Sequence, residues 1–112
     1  MKHKIREHKN ISIVSLEGNI LGGPDALILN DLLRELIRKG KKKIILDISS
    51  VKLINSSGLG MLIAALTSVK TSNGDLKLAG GSDKIQNLLT ITKLKKIFEQ
   101  YKTVKQAVDS YQ

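Results

Sequence analysis

The sequence predicts an α/β fold, a mixed β-sheet of about four to five strands with about four helices packed on it. Three observations carry this. Apolar residues switch repeatedly between strand-like and helical spacing, in the order β-β-α-β-α-β-α-β-α. One segment, Lys43–Ile48 (KIILDI), is a nearly continuous apolar run bounded by charge and serines, the pattern of a central strand covered on both faces. The chain is 41% hydrophobic but has only three aromatic residues, Phe98, Tyr101 and Tyr111, so the shared core must be aliphatic. Its 112 residues suit one domain spanning residues 1–112.

Each element has its own justification. Lys2–His8 and Asn10–Leu16 read as two strands joined by a tight turn at Lys9-Asn10. Ile11, Ile13, Val14 and Leu16 put apolar groups on both faces of the second strand, so both faces should be covered. Gly18 and Gly22-Gly23-Pro24 punctuate the loop that follows. Pro24 suits a first helical turn and Asp25 complements its positive end. Leu29, Leu32, Leu33, Leu36 and Ile37 then form the apolar stripe of a helix that Gly40 ends, while Leu27 falls on the polar side, as an exposed leucine or part of a binding surface.

After Lys43–Ile48, Ser49-Ser50 should turn the chain, and Val51–Ile54 extend it. Leu59, Leu62, Ile63, Leu66 and Val69 are helically spaced between Ser57 and Ser72, with Gly74 where a left-handed cap is wanted. Asp75–Ala79 alternates as a short strand, and Gly80-Gly81 turn the chain. Ser82 caps a helix carrying Ile85, Leu88, Leu89 and Ile91. Ile97–Tyr101 is a final edge strand, and Thr103 with Gln106 has the spacing of a capping box that opens a last helix through Tyr111.

The formal charge of +9 is clustered: residues 34–43 and 84–105 each carry a local +5. Such faces suit solvent, and also permit a nucleic-acid or membrane-surface reading. With few aromatics to stack bases and no reader motif, direct nucleic-acid binding is not expected. No apolar run approaches the roughly 18 residues of a membrane span. The polar N-terminus has no apolar signal region, so a soluble cytoplasmic protein is expected. The absence of cysteine rules out disulfides and thiolate metal sites, and no cofactor is expected. His3 and His8 have no acid or nucleophile at a telling spacing, and no nucleophile elbow or P-loop appears, so an enzyme is not expected.

The stretch LINSSGLGML, residues 53–62, sets Asn55, Ser56, Ser57, Gly58 and Gly60 inside an otherwise apolar region. A serine at the junction of strand and helix can cap the helix. Two glycines in a first helical turn cost on the order of 1 kcal/mol each against alanine. Something must gain from the missing side chains: close packing on the sheet, or close approach of another molecule. A helix start also suits an anion, and a phosphate on a serine there would add about −1.5 to −2 charges without opposing the fold.

Residues 41–66, KKKIILDISSVKLINSSGLGMLIAAL, resemble the signature of the STAS domain, and specifically of bacterial anti-sigma factor antagonists. Asp47, Ser49-Ser50 and Ser56-Ser57-Gly58-Leu59-Gly60 match that family's strand, turn and helix start; the flanks, including LEGNILGGPDA at 16–26, match weakly. The resemblance implies a STAS-type mixed sheet and a partner-switching role. Such proteins bind a serine-kinase anti-sigma factor, are released when it phosphorylates them, and are restored by a metal-dependent serine phosphatase. Matched by position, Ser56 would be the phosphoacceptor and Ser57-Gly58-Leu59-Gly60 its helix start; Asn55, Ser56, Ser57, Gly58, Leu59 and Gly60, joined by Leu27 from the polar side of its helix, would form the partner-binding surface. Asn55 stands where the family usually has Asp, and the loop Gly18-Asn19-Ile20-Leu21 lacks the usual acids. The alternatives are a STAS scaffold that is never phosphorylated, and a basic module for nucleic acid or membrane surfaces.

Overall fold

A computed structural model describes residues 1–112. The N-terminal hairpin pairs β1 (Lys2–His8) antiparallel to β2 (Ile11–Ile20), and Lys9 takes the left-handed conformation at the turn. Helix α1 (Pro24–Arg38) crosses back to β3 (Lys43–Ile54), which lies parallel to β2. Helix α2 (Ser56–Thr71) leads to β4 (Asp75–Ala79), and α3 (Asp83–Ile91) to β5 (Glu99–Tyr101), both strands parallel to their inner neighbours. Helix α4 (Val104–Ser110) closes the chain. The sheet order is β1-β2-β3-β4-β5, so the expected mixed sheet with four helices is the observed one. None of the helices is long and apolar enough to cross a membrane.

Strand alternation assigns the two faces. Val14, Leu16, Ile44, Leu46, Ile48, Leu76 and Leu78 point into the larger core, where Leu29 and Leu33 of α1, Leu62 and Leu66 of α2, and Ile85 and Leu89 of α3 meet them. Ile11, Ile13, Ile45 and Ala79 point to the opposite face and are covered by Ala107 and Val108 of α4. A polar latch holds α4 in place. The Lys77 ammonium, buried on that face, donates to Ser110 Oγ at 2.7 Å and lies 3.2 Å from the Glu99 carboxylate and 4.0 Å from the Tyr111 ring centroid.

Four local expectations need correction. Ser49 and Ser50 do not turn the chain; β3 runs through them, and β2 continues to Ile20 beside it. The Asp47 carboxylate accepts from the Ser49 amide and hydroxyl, so the polar sequence is absorbed as a register shift against β2. At the end of α2, Asn73 and not Gly74 has the positive φ. Gly74 is there for space, because a Cβ would lie 2.8 Å from Val69 Cγ1. Residues Leu94–Lys96 form a 3-10 turn, which shortens β5 to three residues. Finally, Ile91 is not on the buried stripe of α3: it is 77% exposed.

Candidate functional site

Parallel strands β2 and β3 deliver α1 and α2 to the same end of the sheet, the usual location of sites in α/β folds. There Asn55 leaves β3 with extended backbone, and its side chain accepts from the Gly58 amide at 2.7 Å. Asn55 is therefore the helix cap, and Ser56 is the first residue of α2. The serine-cap expectation is corrected accordingly. The Ser56 hydroxyl is left free of the capping duty and is exposed to solvent.

The two glycines of the motif have different reasons. A Cβ at Gly58 would stand 2.0 Å from the Ile20 carbonyl oxygen, so Gly58 lets α2 sit directly on the end of β2. The Asn55 amide donates to that same oxygen at 3.3 Å. Gly60 has nothing within 4 Å of its Cβ position, so its missing side chain serves no internal contact. Close packing on the sheet therefore accounts for Gly58 and not for Gly60.

A third glycine, which the motif did not signal, completes the junction. Gly22, at φ +80°, lies against Ser57: a Cβ would come within 2.7 Å of the Ser57 Cβ. This contact brings the β2–α1 loop against the start of α2. The surface so formed presents Asn55, Ser56, Ser57 and Gly60. Gly58 and Leu59 were expected on that surface but are buried, and they shape it from beneath. Leu27 stands in the early part of α1 and is 67% exposed, in line with its place on the polar side.

The first turn of α2 contains no acidic residue. An anion on Ser56 would thus meet the positive end of the helix with no carboxylate of that turn opposing it. Asparagine caps a helix as well as aspartate does, so Asn55 keeps the geometry and drops the charge. The largest cleft, about 720 Å³ between Gly80-Gly81, Gln86 and Tyr101, lies elsewhere and is lined by none of the residues named in the motif.

Known proteins resemble the chain along most of its length. It is 33% identical over 75 residues to a Thermotoga maritima protein provisionally named an anti-sigma factor antagonist, spanning 67% of this chain and 66% of that protein. It is 30% identical over 67 residues to the anti-sigma-B factor antagonist of Staphylococcus aureus, spanning 60% of this chain and 62% of that one. These alignments thus span less than two thirds of each relative's length. The fold matches the crystal structure of a similarly named T. maritima protein with a TM-score of 0.85 at 25% identity, covering 96% of this chain and 92% of that chain. The phosphorylated form of the Bacillus cell-fate determinant SpoIIAA matches with a TM-score of 0.73, over 99% of this chain and 100% of that chain. At 15% identity this last likeness concerns the fold alone. The STAS domain model matches residues 2–107, and the chain belongs to that family.

Proposed function

We propose that this STAS domain is an anti-sigma factor antagonist that works by partner switching. It binds a serine-kinase anti-sigma factor through the start of α2, and phosphorylation of Ser56 by that kinase releases it. A metal-dependent serine phosphatase then restores binding. The observation that carries this reading is the division of labour between neighbours: Asn55 caps α2, so the Ser56 hydroxyl is exposed and free for transfer. The relatives named as anti-sigma factor antagonists support the partner class.

A phosphate on Ser56 would leave the Asn55 cap and the Gly58–Ile20 packing untouched, while placing about −1.5 to −2 charges on the docking surface. The partner would have to desolvate that charge, and release follows without unfolding. Ser57 is also exposed, but its Cβ is packed against Gly22, which restricts approach from that side. Incubation with the cognate anti-sigma kinase and ATP, followed by mass-spectrometric mapping, tests the assignment. Phosphate on Ser56 is expected; phosphate on Ser57 with Ser56 unmodified would overturn it. An unmodified chain that still binds the anti-sigma factor would leave a scaffold without a switch.

A further inference from the structure

Helix α3 exposes part of its own apolar stripe. Ile85 and Leu89 are buried, Leu88 is half-buried and Ile91 is 77% exposed. Across from them, Leu53 near the end of β3 is 41% exposed. These side chains are not scattered. Leu53, Ile54, Ile85, Leu88 and Ile91 line one groove of about 320 Å³ between β3 and α3. Single exposed apolar residues need no explanation, whereas a contiguous apolar groove points to an occupant.

The charged side chains that line the groove have one sign. Lys52 and Lys84 line it, and no carboxylate does. A concave apolar floor with a basic rim is complementary to a helix that carries apolar residues at i, i+3, i+4 and i+7 and acidic residues beside them. A bilayer would instead be met by projecting apolar side chains on a convex surface, and here Leu53, Ile85 and Leu88 face into a groove.

We infer that the groove between β3 and α3 docks an acidic amphipathic helix of a protein partner. Ile54 lines the groove and Asn55 caps α2 immediately after it, so the groove adjoins the start of α2. That the helix belongs to the same anti-sigma partner rests on the function proposed above; the groove's preference for an acidic helix does not.

The test uses the full chain, isotope-labelled, with a synthetic peptide of about 14 residues bearing leucines at i, i+3, i+4 and i+7 and glutamates at flanking positions. Amide shifts should concentrate at Leu53, Ile85, Leu88 and Ile91. A scrambled peptide and a lysine-for-glutamate peptide should bind at least about tenfold more weakly, a difference of about 1.4 kcal/mol. Ile91→Glu and Lys84→Glu, both at exposed positions, should each weaken the acidic peptide by about tenfold, while Lys105→Glu on α4 should not. Thermal melts verify that the variants are folded.

Equal binding of the scrambled peptide, or shifts located elsewhere, would overturn the inference. So would the absence of peptide binding together with Ile91-dependent binding to phosphatidylglycerol vesicles, which would assign the face to lipid. Ser56→Asp separates the two readings. If the peptide binds that variant normally and the kinase does too, the switch fails and the groove stands. If the kinase discriminates Ser56→Asp but the peptide finds no groove, only the groove assignment fails.

Discussion

The Asn55 side chain accepts a hydrogen bond from the Gly58 amide at 2.7 Å, and Gly58 in turn lies so close to the Ile20 carbonyl that no side chain fits between them. One residue fixes where α2 begins, and the other fixes how tightly that beginning sits on the sheet. Ser56 lies between them with its hydroxyl uncommitted to the cap.

If Asn55 is the cap, Asn55→Ala should destabilise the fold by about 1 kcal/mol. Asn55→Asp should keep the stability within a few tenths of a kcal/mol, because the carboxylate accepts the same bond. Chemical denaturation of the three proteins measures this, and an unchanged midpoint for Asn55→Ala would contradict the cap assignment.

The two motif glycines should respond in opposite directions to alanine. Gly58→Ala drives a methyl into the Ile20 backbone and should cost about 2–3 kcal/mol despite the gain in helix propensity. Gly60→Ala meets open space and should stabilise the fold by up to about 1 kcal/mol. If Gly60 allows close approach of the partner backbone, the same substitution should weaken anti-sigma binding, as calorimetry would show.

Ser56→Asp should lose about 2–4 kcal/mol of anti-sigma affinity, roughly 30- to 1000-fold, because the partner must bury an unpaired charge. Ser56→Ala should bind nearly as the unmodified chain does. Since Asn55 and not Ser56 caps the helix, neither variant should shift stability by more than about 0.5 kcal/mol. Titration calorimetry alongside thermal melts separates the two quantities. Equal affinities for Ser56→Asp and Ser56→Ala would rule out a phospho-switch at this helix start.

Tyr111 links stability to alkaline pH. Burial, followed by the nearby Asp75 charge, raises its pKa above the ordinary tyrosine value, and its hydroxyl donates to the Ile44 carbonyl at 3.1 Å. The folded state therefore favours the neutral phenol, whereas the unfolded chain ionises near pH 10. Its contribution is complete below about pH 10 and is lost as pH rises toward the folded pKa. Tyr111→Phe should cost about 1 kcal/mol at pH 7 for the lost hydrogen bond. Between pH 9 and about 11 its melting temperature should fall less than that of the unmodified chain. Parallel declines would exclude Tyr111 as the cause.

Much of this protein was legible in order along the chain. The apolar run at Ile44–Leu46, the helical spacing from Leu59 to Val69 and the capping spacing of Thr103 and Gln106 are local patterns, and each produced the element it predicts. The conspicuous polar stretch at 55–60 likewise marked a helix start, because serines and glycines are expensive inside a core and useful at its edge. Local pattern could not distribute duties among those residues. Gly58 and Gly60 are the same letter, yet only the distance to Ile20, far away in sequence, makes one of them obligatory for packing. Ser49-Ser50 reads as a turn until Asp47 and the neighbouring β2 hold it in the ladder. Ile91 fits a buried stripe until the path of α3 and the end of β3 leave it facing a groove. Periodicity reports which face of an element is apolar; what covers that face depends on contacts between segments distant in the chain, and those exist only once the sheet has formed.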